Sequence, residues 1–393
     1  MLYGPMEPNE RFRARRAQAR TRRRRRRAAL VGIVLLALIT LGAGWQFRPG
    51  RTHVPATHSV VPRAPLPSAV AVASRPRPLP IEIRGIHVTG ALASLPGKLA
   101  EYAELRKQGL NTIELDVKDE GGIVSFTPAS VPLARTIGAT RNYYDPAAVT
   151  RMLHARGIYV IGRVVVFQDP PLATARPQLA VHRRDASIWT TSAGLGWVDP
   201  YDKRVWKYDI DIAAAAARAG FDEIMLDYVR FPSDGDVGGA VYPGRTAQLP
   251  GRVVASFVSY AEQRLRPLGV RVSSALFGLS ATRDLRIGQV PRWISRHVDT
   301  VNPMAYPVLY RSGELGIADP SAQPGETVFR TLGDFRLQVR GSNAHLVPWI
   351  QDWGYDLPQV QAQIDAARLQ GVKGYLLWNA EGLYTPGALS PAS

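Results

Sequence analysis

The chain has 393 residues, enough for one large domain or two ordinary ones, and its 46% hydrophobic content supports a sizeable core. It contains no cysteine, which excludes disulfides, thiolate nucleophiles, iron–sulfur clusters and Cys-ligated zinc. The net charge of +17 resembles a nucleic-acid signal until it is located: residues 1–50 carry twelve arginines against Glu7 and Glu10, residues 51–80 carry four arginines and no acid, and residues 81–393 are left with +3. The basicity belongs to the tail.

In chain order, residues 1–27 end in six consecutive arginines, Arg22 to Arg27, and residues 28–47 follow without a charge. About twenty apolar residues at 1.5 Å rise span a bilayer, and flanking arginines stay on the cytoplasmic side. The expectation is a cytoplasmic basic tail, a single transmembrane anchor over 28–47 with Trp45 at the interface, and everything beyond Arg48 outside the cell. A cleaved signal peptide, which would leave the protein secreted, has a shorter apolar core and a small-x-small site. Here Gly42-Ala43-Gly44 leads into bulky Trp45 and Phe47, which favours the uncleaved anchor. An RNA-binding arm is the rival reading of the arginines, but the adjacent span already accounts for them, and no nucleic-acid partner is expected. Residues 48–80 form the linker; seven prolines within 51–80, with no acid, make an extended spacer.

From Ile81 strand-like and helix-like segments alternate. The predicted strands are Ile83–Thr89, Thr112–Val117, Tyr159–Val166, Glu223–Asp227, Arg271–Phe277, Val298–Met304, Leu346–Ile350 and Gly374–Trp378. Helical stretches lie near 96–108, 146–156, 204–219, 251–266, 286–296, 325–340 and 358–370. Gly109, Gly157, Gly220, Gly269 and Gly371 stand where helices should stop. This pattern predicts an α/β fold, a (β/α)8 TIM barrel over 81–386, with 387–393 as a disordered C-terminus. A doubly wound open sheet is the alternative, but no Gly-x-Gly-x-x-Gly follows the first strand.

In such a barrel the strand ends converge on one face, and here they are polar and aromatic. The fourth strand delivers Asp227, Tyr228 and Arg230 together, and a carboxylate buried there must be paired or used. Period-two alternation in the second strand puts Glu114, Asp116 and Lys118 on one face, opposite Ile113, Leu115 and Val117. The first strand brings His87, the third Arg163, the sixth leads to Tyr306, and the eighth ends at Trp378 and Asn379. Carboxylates among Trp and Tyr suit glycoside hydrolysis, which needs one acid to protonate the leaving oxygen and another to attack or to activate water. Asp227 and Asp116 are the catalytic candidates; His87, Arg163, Tyr228, Arg230, Tyr306, Trp378 and Asn379 are the substrate-binding candidates. Each acid also has a structural reading: Asp227 paired with Arg230 or Arg163, Asp116 with Lys118 or Arg163, and Glu114 as a buried structural acid one strand turn deeper. Seven histidines without His-x-His or His-x-x-x-His make a metal site unexpected, and no cofactor is called for. No Gly-x-Ser-x-Gly elbow or phosphate-cradling loop occurs.

Three segments carry a family likeness: Arg84-Gly85-Ile86-His87-Val88-Thr89, Leu115-Asp116-Val117-Lys118-Asp119-Glu120-Gly121, and Gly162 through Asp169. They continue in Trp197-Val198-Asp199-Pro200-Tyr201, Ile224 through Pro232, Phe277-Gly278, Asn302 through Pro307, and Leu377-Trp378-Asn379. With these, over about residues 82–385, the chain resembles the bacterial glycoside hydrolase domain family catalogued as domain of unknown function 4015. The resemblance implies a barrel related to the α-amylase-like glycosidases, with the acid ending the fourth strand, Asp227, as nucleophile. It also implies an acid just before the Phe-Gly after the fifth strand, where this chain reads Ser273-Ser274-Ala275-Leu276-Phe277-Gly278. The reading is a membrane-anchored glycoside hydrolase acting on an extracellular or envelope polysaccharide. The alternative is a cell-surface glycan-binding barrel that has lost catalysis.

Overall fold

The computed structural model describes residues 76–391. Nine parallel strands run in chain order: β1 (Ile83–Val88), β2 (Thr112–Lys118), β3 (Tyr159–Val165), β4 (Glu223–Asp227), β5 (Arg271–Phe277), β6 (Thr300–Ala305), β7 (His345–Leu346), β8 (Trp349–Gln351) and β9 (Gly374–Trp378). Each of the first six pairs with its sequence neighbour, and β1 pairs with β9, so the sheet closes. Strands β7 and β8 are one barrel strand interrupted around Pro348: β6 pairs with β7 through Thr300 and Val301 and with β8 through Met304 and Ala305. Proline has no N–H for the ladder, so the course breaks there. The result is an eight-stranded closed parallel barrel with helices outside, a (β/α)8 fold; closure excludes the open doubly wound sheet.

The helices begin and end where local chemistry directs. Asp145, Asp202 and Asp356 cap Pro146–His154, Lys203–Arg218 and Leu357–Leu369, each accepting a backbone N–H of the first turn. The stretch expected as a helix over 286–296 is helical only at Pro291–Ile294. Arg286 and Gly288 both take positive φ just before it, and a helix cannot run through either.

The domain also extends further than expected. Ala388 and Leu389 are buried in the core, the Tyr375 hydroxyl donates to the Ala388 carbonyl at 2.7 Å, and Arg368 donates to Ser390 O at 3.0 Å. Residues 387–391, the described part of that segment, pack against the barrel, and among the described residues no helix follows β9. Gly109 makes room for it: a Cβ there would lie 2.1 Å from the Leu389 carbonyl oxygen. The expected anchor at 28–47 and most of the linker lie outside the described residues. Among the described residues no helix is long and apolar enough to cross a membrane.

Candidate active site

Register brings the charged side chains of four strands to one end of the barrel. His87 stands opposite Glu114, Asp116 opposite Arg163, and Val165 opposite Asp227. Arg163 is the centre. Its Nε donates to Asp227 Oδ2 at 2.9 Å, Nη2 lies 2.7 Å from the same oxygen, and Nη1 donates to Asp116 Oδ1 at 2.6 Å. The chain turns sharply after Asp227: Tyr228 sits at φ 52°, a rare conformation for a non-glycine residue, and its N–H donates to Asp227 Oδ1 at 2.7 Å. Both oxygens of Asp227 are thus held.

His87 lies between two acids, its Nδ1 sharing a 2.7 Å hydrogen bond with Glu114 Oε2 and its Nε2 lying 3.8 Å from Asp116 Oδ2. Its ring stacks on Trp378 at 3.8 Å between centroids, and Trp378 stacks on Trp349 at 4.9 Å. Arg163 lies 5.3 Å and 5.7 Å from the centroids of these two indoles, so the aromatic wall and the charged centre are contiguous. Tyr306 continues the wall, stacked on Trp349 at 6.4 Å.

Burial and charge work against each other here. Burial pushes Glu114 up to about 8, with the Asp227 charge adding to the rise and Arg163 opposing it. Burial also raises Asp116 against the pull of Arg163 and His87. Burial disfavours the charged form of Arg163 too, but Asp116, Asp227 and Glu114 overcome it and hold the guanidinium firmly charged. Tyr306 is raised well above its usual value by burial and by the Asp227 and Glu114 charges, so its hydroxyl stays protonated as a donor. One fixed cation faces several carboxylates here, and the one pushed up furthest toward its protonated form is the deeply buried Glu114.

The structure separates the candidates. His87, Asp116, Arg163, Asp227, Tyr306 and Trp378 meet in one cluster. Arg230 lies to one side, 5.0 Å from the Trp197 and Tyr228 ring centroids and 4.6 Å from that of Phe277, donating to the Phe231 carbonyl. Asn379 is a loop residue: its amide donates to the Asp352 carbonyl and its Oδ1 accepts the Glu381 N–H. Lys118 departs from the alternation. A bulge between Asp116 and Lys118 turns it away from the lumen, toward Asp169 at 2.6 Å and Asp209 at 2.7 Å, so it does not pair with Asp116.

Two further residues of the cluster are not among the candidates chosen from the sequence. Trp349 was read there only as an aromatic at the end of the seventh strand. Glu120 lies in the loop after β2, and its Oε2 is 3.6 Å from Arg163 Nη1. Its side chain is 19% exposed, against 2% for Asp116 and 3% for Asp227. Its place after an acid-rich strand end was the available signal. His87, Glu114 and Asp116 also present ligand-type atoms within 4.8 Å of one another, a spacing compatible with a cation. Their present partners, each other and Arg163, already account for that grouping.

Closed parallel barrels carry their active sites at the C-terminal ends of the strands, where this one gathers its acids, and glycoside hydrolysis uses a pair of carboxylates. Residues 85–384 match the family described as "putative glycosyl hydrolase domain", and the chain belongs to that family. Among solved structures, a hypothetical protein from Ruminiclostridium thermocellum is 34% identical over 48% of this chain and 96% of its own, with a TM-score of 0.44. The PgaB (BpsB) glycoside hydrolase domain from Bordetella bronchiseptica is 15% identical over 77% and 95%, with a TM-score of 0.57. The catalytic domain of β-amylase from Paenibacillus polymyxa is 11% identical over 80% and 96%, with a TM-score of 0.51. The last two likenesses are of fold. No curated protein matches the chain.

Proposed function

We propose that this domain hydrolyses glycosidic bonds of an extracellular or cell-envelope polysaccharide, tethered outside the cell membrane by a single span over residues 28–47. The observation that carries the chemistry is the single guanidinium of Arg163 shared by Asp116 and Asp227 beside the Trp349–Trp378 wall. Asp227, held by the Arg163 guanidinium, is the nucleophile or the base that deprotonates water. The transferable proton sits on the other side of Arg163, on Asp116, with Glu120 as the carboxylate that meets solvent and sugar. In the reaction that proton goes to the glycosidic oxygen, which leaves with the electron pair of the C1–O bond, while Asp227 or the water it activates forms the new bond to C1. The indoles stack on the pyranose faces.

The second reading, a glycan-binding barrel without catalysis, is favoured by one observation. Strand β5 offers Ser273, Ser274 and Ala275 ahead of Phe277, and no carboxylate. Assaying reducing-end release from a panel of polysaccharides separates the two. Hydrolysis that disappears in Asp227→Asn supports the enzyme. Retention of glycan without release, unchanged in that variant, leaves the binder. Anchoring has its own check: the intact protein should partition with membranes, and a truncation lacking residues 1–47 should not.

A further inference from the structure

A cavity of about 110 Å³ opens beyond Phe277 at the end of β5 and Met304 near the end of β6. Its walls are apolar: Phe277, Leu279, Leu285, Ile287, Met304 and Leu309. Its border is polar, with Ser233, Arg283, Arg311 and Glu314. Two of these hold each other: Arg283 Nη2 donates to Glu314 Oε1 at 2.6 Å, and the other oxygen of Glu314 accepts the Arg311 N–H at 2.7 Å. The Ser233 hydroxyl differs, being buried without a hydrogen-bond partner. Leaving such a group unpaired is unfavourable, and a ligand atom arriving there relieves it.

The cavity is preformed. A Cβ on Gly278 would lie 1.8 Å from the Tyr310 hydroxyl and 2.8 Å from the Met304 carbonyl, so its wall is built by side chain against bare backbone, and Thr331 fixes the Tyr310 hydroxyl at 2.8 Å. It lies at the same end of the barrel as Asp227, since Phe277 ends β5 as Asp227 ends β4. Phe277 lines it and carries the Arg230 guanidinium, three residues after Asp227.

We propose that this cavity is an accessory subsite for the acetamido group of an N-acetylated sugar adjoining the bond to be cleaved, an assignment that deepens the hydrolase reading and rests on it for its placement. An engineered apolar cavity of about 150 Å³ takes up benzene, so this space suits a group somewhat smaller than that ring, the scale of a short acyl group. The methyl packs against Met304 and Leu309, and the carbonyl accepts the Ser233 O–H.

Isothermal titration calorimetry on the full chain tests this with two β-1,4-linked tetramers, of N-acetylglucosamine and of glucose, which differ at C2. The wild-type protein should bind the acetylated tetramer about tenfold more tightly. Ser233→Ala should reduce that preference about fivefold, and Leu309→Phe, which fills the space, should abolish it, with glucose-tetramer binding unchanged in both. If Leu309→Phe fails to fold, Ser233→Ala decides. Equal wild-type affinities, binding of neither tetramer, or a preference that survives both variants overturns the subsite. An intact preference with no hydrolysis of any glycan overturns the hydrolase reading instead and leaves the subsite standing.

Discussion

Strand β2 and the loop that follows it feed two buried clusters, each a single cation between two aspartates. On the lumen side Arg163 bridges Asp116 and Asp227; on the outer side Lys118 bridges Asp169 and Asp209, the latter on the helix Lys203–Arg218. The Lys118 cluster is sealed, with all three side chains fully buried. Burial opposes the Lys118 charge, and the two aspartates restore it. The Arg163 cluster carries more: Glu114 and His87 behind it, stacked indoles beside it, and Glu120 reaching solvent in front. One cluster has what it needs to stay still, and the other has surplus acid at an open edge. A buried ion pair ties elements together; a surplus of carboxylates around one cation creates a proton that can be moved.

Substitutions should divide along this line. The largest effect expected on the open side is from Asp227→Asn, which should lower the rate of reducing-end release about 10³-fold, with circular dichroism and thermal midpoint close to wild type. On the sealed side Lys118→Met should leave two aspartates unpaired and cost about 3–5 kcal/mol in chemical denaturation, while activity per folded molecule is retained. Loss of fold in the first variant, or of activity alone in the second, would break the distinction between the clusters. Glu120→Gln should reduce turnover about 10²-fold and displace one limb of the pH–rate profile, without a change in stability. An unchanged profile would leave Glu120 only as a contact for the sugar and the proton transfer wholly with Asp116.

The smallest effect concerns Glu114. Its value in the fold is about 8 against an ordinary 4.5, so between these the folded protein binds a proton that the unfolded chain has lost. Stability therefore falls as pH rises across that window. Thermal melts from pH 4.5 to 8 should show the decline, and Glu114→Gln should flatten it. A slope that persists in the variant assigns it to another group.

The barrel itself was legible in the sequence. Apolar runs marked each strand, Gly109, Gly157, Gly220, Gly269 and Gly371 marked where helices stop, and most boundaries fall within a residue or two of the structure. The expected helix near 286–296 was not, because Arg286 and Gly288 adopt backbone conformations that periodicity does not encode. The site was half legible. Strand-end position pointed to Asp116, Asp227, Arg163 and His87, which the fold brings together, whereas Asn379, equally placed at a strand end, ties its own loop to the Asp352 carbonyl after β8.

What the chain determined by itself was the alternation of strand and helix and the delivery of acids, arginine and aromatics to one end of a closed sheet, since side-chain period and helix termination are local properties. Which carboxylate pairs with which cation was decided only in three dimensions. A single bulge after Asp116 turned Lys118 outward, and strand register set Arg163 between two acids 64 and 47 residues away. Partners that distant are chosen by closure of the barrel and by the cost of burying a charge alone, neither of which acts until the strands have met.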